Sequence, residues 1–318
     1  MKFVAFDLEG PLSPNDNAYE LMGLFPGGRE VFEAVSRYDD LLALEGRPGY
    51  EPGDTLALIV PFLLRHGATG AQIAGLAGKA SLTPGARELI GRLLKSGWRV
   101  LCVTTTYRPY ARAIARRLGI PAKDVASTPL PLDQYRRAFA TEQLEPVERA
   151  ERALYSLRRE GNDEKMKALL DGFYWKELAA SPLKRLLEEV KPVGGRRKVE
   201  ALMRLVGDTS LGDVVVVGDS ITDLALFRAV GEAGGLAVAF NANQYALPYA
   251  TLGLAGDSLL PLEGVLLAWE EGGRDKARDF VEKGREEGLH WLAGKKERPL
   301  ELHRHYRRLL RARAGELG

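Results

Sequence analysis

Asp213-Val214-Val215-Val216-Val217-Gly218-Asp219-Ser220-Ile221-Thr222-Asp223 begins with a run of four β-branched residues and closes on two aspartates. A short apolar run bounded by turn formers reads as a strand buried on both faces, as in the middle of a parallel sheet. Helical spacing over Ile221 to Val230 and a second apolar run, Leu236 to Phe240, complete a strand–helix–strand unit. Ligands of such sheets bind outside the carboxyl ends of the strands, so Asp219 and Asp223 stand where chemistry is expected.

Working outward, Arg197 to Val206 has helical spacing. At the other end of the chain, Lys2 to Phe6 is a short run of β-formers that stops at Asp7, with Gly10 and Pro11 marking a turn. Thr83-Pro84 reads as the N-cap and first turn of a helix that ends at Gly97. Trp98 to Val103 is an apolar strand that runs into Thr104-Thr105-Thr106-Tyr107, followed by a helix from about Pro109 to Leu118 and a short strand at Val125-Ala126. Between these pieces lie two segments of helical spacing. The first, from about Asn15 to Ala80, contains a capping-box pattern at Thr69-Gly-Ala-Gln72. The second runs from about Pro129 to Val190.

The predicted class is α/β, a doubly wound Rossmann-like core with a parallel sheet. The core takes residues 1–14, 81–128 and 191–262; a helical cap takes 15–80, a second helical insertion 129–190, and a C-terminal helical extension 263–318.

At 318 residues the chain is long enough for such a core, and its one cysteine, Cys102, lies in an apolar run and excludes an intrachain disulfide. The amino terminus lacks an apolar run followed by a cleavage site, and Thr55 to Leu64 is too short to span a bilayer, so a cytoplasmic protein without membrane insertion is expected. Net charge is only +2, yet Lys295 to Gly318 holds eight Lys/Arg against three Asp/Glu. Nucleic acid is disfavoured as a partner, because Leu302, Tyr306, Leu309 and Leu310 at helical spacing suit a helix docked on its own protein.

Three clusters follow three predicted strands: Asp7 and Glu9, then Thr104, then Asp219 and Asp223. Carboxylates brought together repel one another, so they call for a divalent ion, and an all-oxygen shell favours magnesium. His66, His290, His303 and His305 are scattered, which argues against zinc. Neither a Walker-type loop nor a nucleophile-elbow serine occurs.

Four of these stretches, in order, resemble the motifs of the haloacid dehalogenase (HAD) superfamily. They are Phe6-Asp7-Leu8-Glu9-Gly10, Val103-Thr104-Thr105, the helix start Gly195-Arg196-Arg197-Lys198, and Val217-Gly218-Asp219-Ser220-Ile221-Thr222-Asp223. The resemblance implies that Asp7 attacks phosphorus to give an aspartyl-phosphate, and that Glu9 protonates the leaving oxygen and later activates water. It implies that Thr104 and Lys198 bind phosphoryl oxygens, with Thr105 or Thr106 as alternatives to the threonine and Lys191, Arg196 and Arg197 as alternatives to the lysine. Magnesium would be held by Asp7, Glu9 through its carbonyl, and Asp219, with Asp223 binding it directly or through water, or orienting Lys198. The Asp-Leu-Glu-Gly string with a cap directly after it is similar to the phosphoserine phosphatase branch, and an uncharacterised archaeal group of the superfamily is also similar.

The implied substrate is a small-molecule phosphate ester, phosphoserine-like in the first instance. Glu20 and Arg37 of the cap, with Asn17 and Arg47 as alternatives, are candidates to hold its ammonium and carboxylate. A phosphotransferase passing the group to an alcohol such as homoserine, and a catalytically weak subunit acting through its helical insertions, are the competing readings. Homo-oligomerisation through those insertions is left open.

Overall fold

The computed structural model describes residues 2–158, 162–284, 286–294 and 299–312, with the backbone alone at Arg158. Residues 295–298 and 313–318 of the basic tail lie outside the described residues.

The chain starts with β1 (Lys2–Phe6) and then makes five helices: α1 (Asn17–Met22), α2 (Gly28–Leu44), α3 (Thr55–Leu58), α4 (Val60–Arg65) and α5 (Gly70–Lys79). It returns to the sheet through α6 (Ala86–Lys95), β2 (Trp98–Tyr107), α7 (Arg108–Leu118) and β3 (Val125–Thr128). The second insertion follows, with α8 (Leu132–Ala138), α9 (Glu145–Arg158), α10 (Asp163–Gly172), a π-helical turn (Phe173–Leu178) and α11 (Lys184–Glu189). The rest is α12 (Arg196–Val206), β4 (Val214–Gly218), α13 (Leu224–Glu232), β5 (Leu236–Phe240), β6 (Leu252–Leu254), α14 (Leu262–Glu282), β7 (Leu289–Trp291) and α15 (Leu300–Arg311).

Among the described residues the strands form one seven-stranded sheet in the order β3-β2-β1-β4-β5-β6-β7, parallel except for β7. The expected α/β class with a mostly parallel, Rossmann-like sheet is what is observed. β1 lies between β2 and β4, with Phe6 level with both Cys102 and Val217, so Asp7 leaves the sheet between these two strands. Every residue of β4 and β5 is buried, as a strand covered on both faces requires.

The structure departs from the sequence reading in three places. Thr83 does not cap α6, which opens two residues later at Gly85 (φ +76°); the Thr83 hydroxyl instead donates to the Gly10 carbonyl at 2.9 Å. The stretch after residue 262 is not wholly helical, because β7 joins the core sheet. α15 does dock on the protein, with His303 and Arg307 buried and Leu310 half-buried against the core, while Leu302 and Leu309 are exposed.

The two insertions pack on each other. The Tyr38 hydroxyl of α2 donates to Asp171 of α10 at 2.5 Å and accepts from Trp175 Nε1 at 2.7 Å, and the Tyr174 hydroxyl donates to the Leu58 carbonyl at 2.8 Å. Phe62, Phe173 and Tyr174 fill the space between them. Among the described residues no single helix is long and apolar enough to cross a membrane.

Candidate active site

The Asp7 amide donates to the Val217 carbonyl at 2.8 Å, which carries the β1–β4 pairing one residue past the strand and fixes where the side chain leaves the sheet. Asp7 Oδ1 accepts from the Leu8 amide at 2.6 Å, and Oδ2 accepts from Lys198 Nζ at 2.6 Å. The same Nζ donates to Asp223 Oδ1, also at 2.6 Å. Asp223 Oδ2 takes the amides of Asp219 and Ser220 at 3.0 and 3.1 Å. Lys198, Asp7, Asp219 and Asp223 are all buried, and each of the three aspartates offers an oxygen within 4.8 Å of the others.

Two glycines make this approach possible. A Cβ at Gly10, where φ is +97°, would lie 2.5 Å from Asp219 Cγ, and one at Gly218 would lie 2.4 Å from Asp223 Cγ. Lys198 is brought in by the Gly194-Gly195 turn that opens α12. Gly195 has φ +52° and its amide donates to the Thr222 carbonyl at 3.0 Å, while a Cβ at Gly194 would fall 2.0 Å from the Pro52 carbonyl oxygen.

Burial opposes charge on Lys198, but the Asp223 and Asp7 carboxylates outweigh it and hold the ammonium up. Burial raises Asp7 to about 7 against the pull of Lys198. Glu9 is pushed up to about 8, by burial first and by the charge of Asp16 second; its Oε1 accepts from the Asn17 amide at 2.8 Å, at the start of α1. Asp7, Glu9, Asp16, Thr105 and Asp219 face an open cleft of about 610 Å³, walled on the cap side by Phe32, Ser36, Asp39 and Asp40 of α2.

The structure thus brings together Asp7, Lys198, Asp219 and Asp223, with Glu9 beside them. Of the threonines, Thr105 lines the cleft, whereas the Thr104 hydroxyl is buried and accepts from the Thr106 amide at 3.3 Å. The alternatives to Lys198 are engaged elsewhere: Lys191 on the Leu187 carbonyl, Arg196 on Glu51 and Arg197 on Asp54. Glu20, Arg37 and Arg47 do not line the cleft. Glu20 accepts from Asn15, Arg37 pairs with Asp163 at the surface, and Arg47 lies over the Trp175 ring, 4.1 Å from its centroid. Asn17 is buried, and its side-chain amide has no hydrogen-bond partner among the described residues.

Among the residues at the site that the sequence did not reveal are two arginines. Arg307 and Arg311 of α15 both donate to Asp219 Oδ2, Arg311 at 2.7 Å. Arg307 also reaches the Asp219 carbonyl at 3.3 Å, and Arg311 Nε reaches the Pro14 carbonyl at 3.3 Å. Asp219 Oδ1 is buried and has no hydrogen-bond partner among the described residues. A buried carboxylate oxygen with nothing to accept from is costly, and an all-oxygen group around it suits a hard divalent ion, so these residues fit magnesium.

The chain is similar over its full length to the gene product AF1437 of Archaeoglobus fulgidus, with 28% identity, a TM-score of 0.84, and coverage of 100% of this chain and 99% of that one. It is similar at 12% identity and a TM-score of 0.52 to the HAD family hydrolase t0658 of Salmonella enterica serovar Typhi, covering 82% of this chain and 70% of that one. The fold is that of the HAD hydrolases. A probable phosphoserine phosphatase of Vibrio cholerae shares the HAD fold as well, with 16% identity, a TM-score of 0.51, and coverage of 89% of this chain and 66% of that one. No family model and no curated protein matches the chain. In the HAD fold as this chain builds it, the C-terminal helix closes on the same crevice as the first strand.

Proposed function

We propose that the chain is a magnesium-dependent phosphohydrolase that cleaves a small phosphate monoester through an aspartyl-phosphate on Asp7. The observation that carries this reading is one buried ammonium, Lys198 Nζ, shared at 2.6 Å by Asp7 and Asp223, with Asp219 alongside. A magnesium ion held by Asp7, Asp219 and Asp223 would offset charge on the transferring phosphoryl group.

Asp7 attacks phosphorus and the ester P–O bond breaks. The leaving oxygen takes the proton of Glu9, whose carboxyl, pushed up to about 8, carries that proton at neutral pH. Glu9, now a carboxylate, takes a proton from water as that water attacks the phosphoryl group. The bond to Asp7 breaks, phosphate leaves, and both carboxyls return to their starting states. Lys198 stays charged throughout and stabilises the phosphoryl oxygens from a position already fixed. Of Thr104 and Thr105, Thr105 is the one at the cleft wall, where its hydroxyl would serve them.

The cap wall bears on the substrate. Asp40 faces the cleft, which favours a leaving group that carries an ammonium, as a phosphoserine-like ester does; Asp39 beside it is engaged by Tyr50 and the Gly53 amide. The test is phosphate release from an aryl phosphate with and without magnesium, for wild type and Asp7→Asn. Wild type is expected to release phosphate only with the ion and Asp7→Asn to fall to background; full activity in the variant would exclude the mechanism. Product analysis with an added acceptor alcohol separates hydrolysis from transfer.

A further inference from the structure

Asp219 has two oxygens, and they live in different surroundings. Oδ2 takes guanidinium groups from both Arg307 and Arg311, while Oδ1 is buried and takes none among the described residues. The arginines come from a docked helix. His303, one turn before Arg307, is fully buried, its Nδ1 accepts from the Ala242 amide at 3.0 Å, and its ring fills the space over Gly253, where a Cβ would lie 2.8 Å from Nε2. Arg307 is itself 3% exposed and gripped by both the side chain and the carbonyl of Asp219.

This arrangement limits how Asp219 can serve a cation. A carboxylate with one oxygen committed to two guanidiniums has one oxygen to give, so it binds an ion through a single contact. Calcium takes six to eight oxygens and gains from carboxylates that use both; magnesium is bound by one or two carboxylates and keeps its waters. Two fixed positive charges beside the ion also weaken its binding, and they do so strongly because the site is buried. Three carboxylates, Asp7, Asp219 and Asp223, already face three cations, Lys198, Arg307 and Arg311, before any ion enters.

We propose that Arg307 and Arg311 are positioning residues that hold Asp219 to coordination through Oδ1 alone, and thereby lower the site's affinity for divalent ions and tilt it toward magnesium over calcium. This rests on Asp219 being an ion ligand, as in the function proposed above.

The experiment is calorimetric titration of the full chain with magnesium alone and with calcium alone, for wild type, Arg307→Met, Arg311→Met and Arg311→Lys. Both methionine variants are expected to bind each ion more tightly. Calcium should gain more, so that the magnesium-to-calcium preference drops by about tenfold, the lower end of what outer partners of metal ligands exert. Arg311→Lys, which keeps a charge there, should lie closer to wild type. A purely structural role for the arginines would move the melting temperature but not the ratio of the two affinities. Unchanged or weaker binding in the methionine variants, an unchanged ratio, or no binding in any of the proteins would overturn the proposal. Should Arg307→Met fail to fold, Arg311→Met, at the last turn of α15, carries the test. The function proposed above fails by a different measurement, phosphate release by Asp7→Asn, so the two readings can fall separately.

Discussion

Burial moves two side chains of this protein in opposite senses, and each has a pH signature. The His303 imidazole is pushed down to about 3, by burial first and by His290 of the neighbouring β7 second. The folded state therefore refuses a proton that the unfolded chain accepts below about pH 6.5, so stability is full above that value and lost as pH falls toward 3. At about pH 4.5 the loss is on the order of 3 kcal/mol; urea midpoints should fall more steeply with acid in wild type than in His303→Gln. The Asp39 carboxyl is pushed up to about 7 by burial. Here the folded state keeps a proton that the unfolded chain releases above about pH 4, so stability declines as pH rises through that window. Asp39→Asn should raise the urea midpoint at about pH 8 and leave it little changed near pH 4. Asp39 also shows where sequence reading stopped at this scale. The first charges named in the cap were Glu20 and Arg37, but the face of α2 that meets the cleft carries Phe32, Ser36, Asp39 and Asp40, spaced as one helical stripe, and Arg37 lies off it. Two adjacent acids continuing an apolar stripe were the available signal.

At the scale of elements, the strands and turns that present Asp7, Asp219 and Asp223 were legible because each is local: an apolar run, then an acid, then a turn. Helix α15 was legible as a helix but not as part of the site. Its apolar residues suggested one docking face, and of these Leu310 is half-buried, but the fully buried positions are His303 and Arg307, which are tolerable inside only because Ala242 and Asp219 await them far upstream. The strands β6 and β7 span three residues each, too few to show a period. The turn before α12 gives a prediction of its own. Gly194→Ala would drive the Pro52 loop or α12 aside, since the new methyl would sit 2.0 Å from the Pro52 oxygen. Because Lys198 rides on that helix, a displacement of about 1 Å should lower phosphate release by roughly a hundredfold. A magnesium-independent measure of fold, such as far-ultraviolet circular dichroism, should stay close to wild type.

At the scale of the molecule, convergence on one crevice followed from the doubly wound sheet and needed no tertiary detail. The relation between the two insertions was not legible, because Tyr38, Asp171 and Trp175 meet across more than a hundred residues of sequence. Replacing residues 129–190 by a short linker would uncover Phe62 and the buried face of α2, and the product should bind a hydrophobic dye and lose cooperative melting. The position of Arg311, 92 residues beyond Asp219, has an outcome for a chain still leaving the ribosome. The parallel strands from β1 to β6 can assemble while the guanidiniums that will neutralise Asp219 have yet to be translated. During that interval the nascent crevice is more acidic than the finished one, and passing cations meet it before its own arginines do.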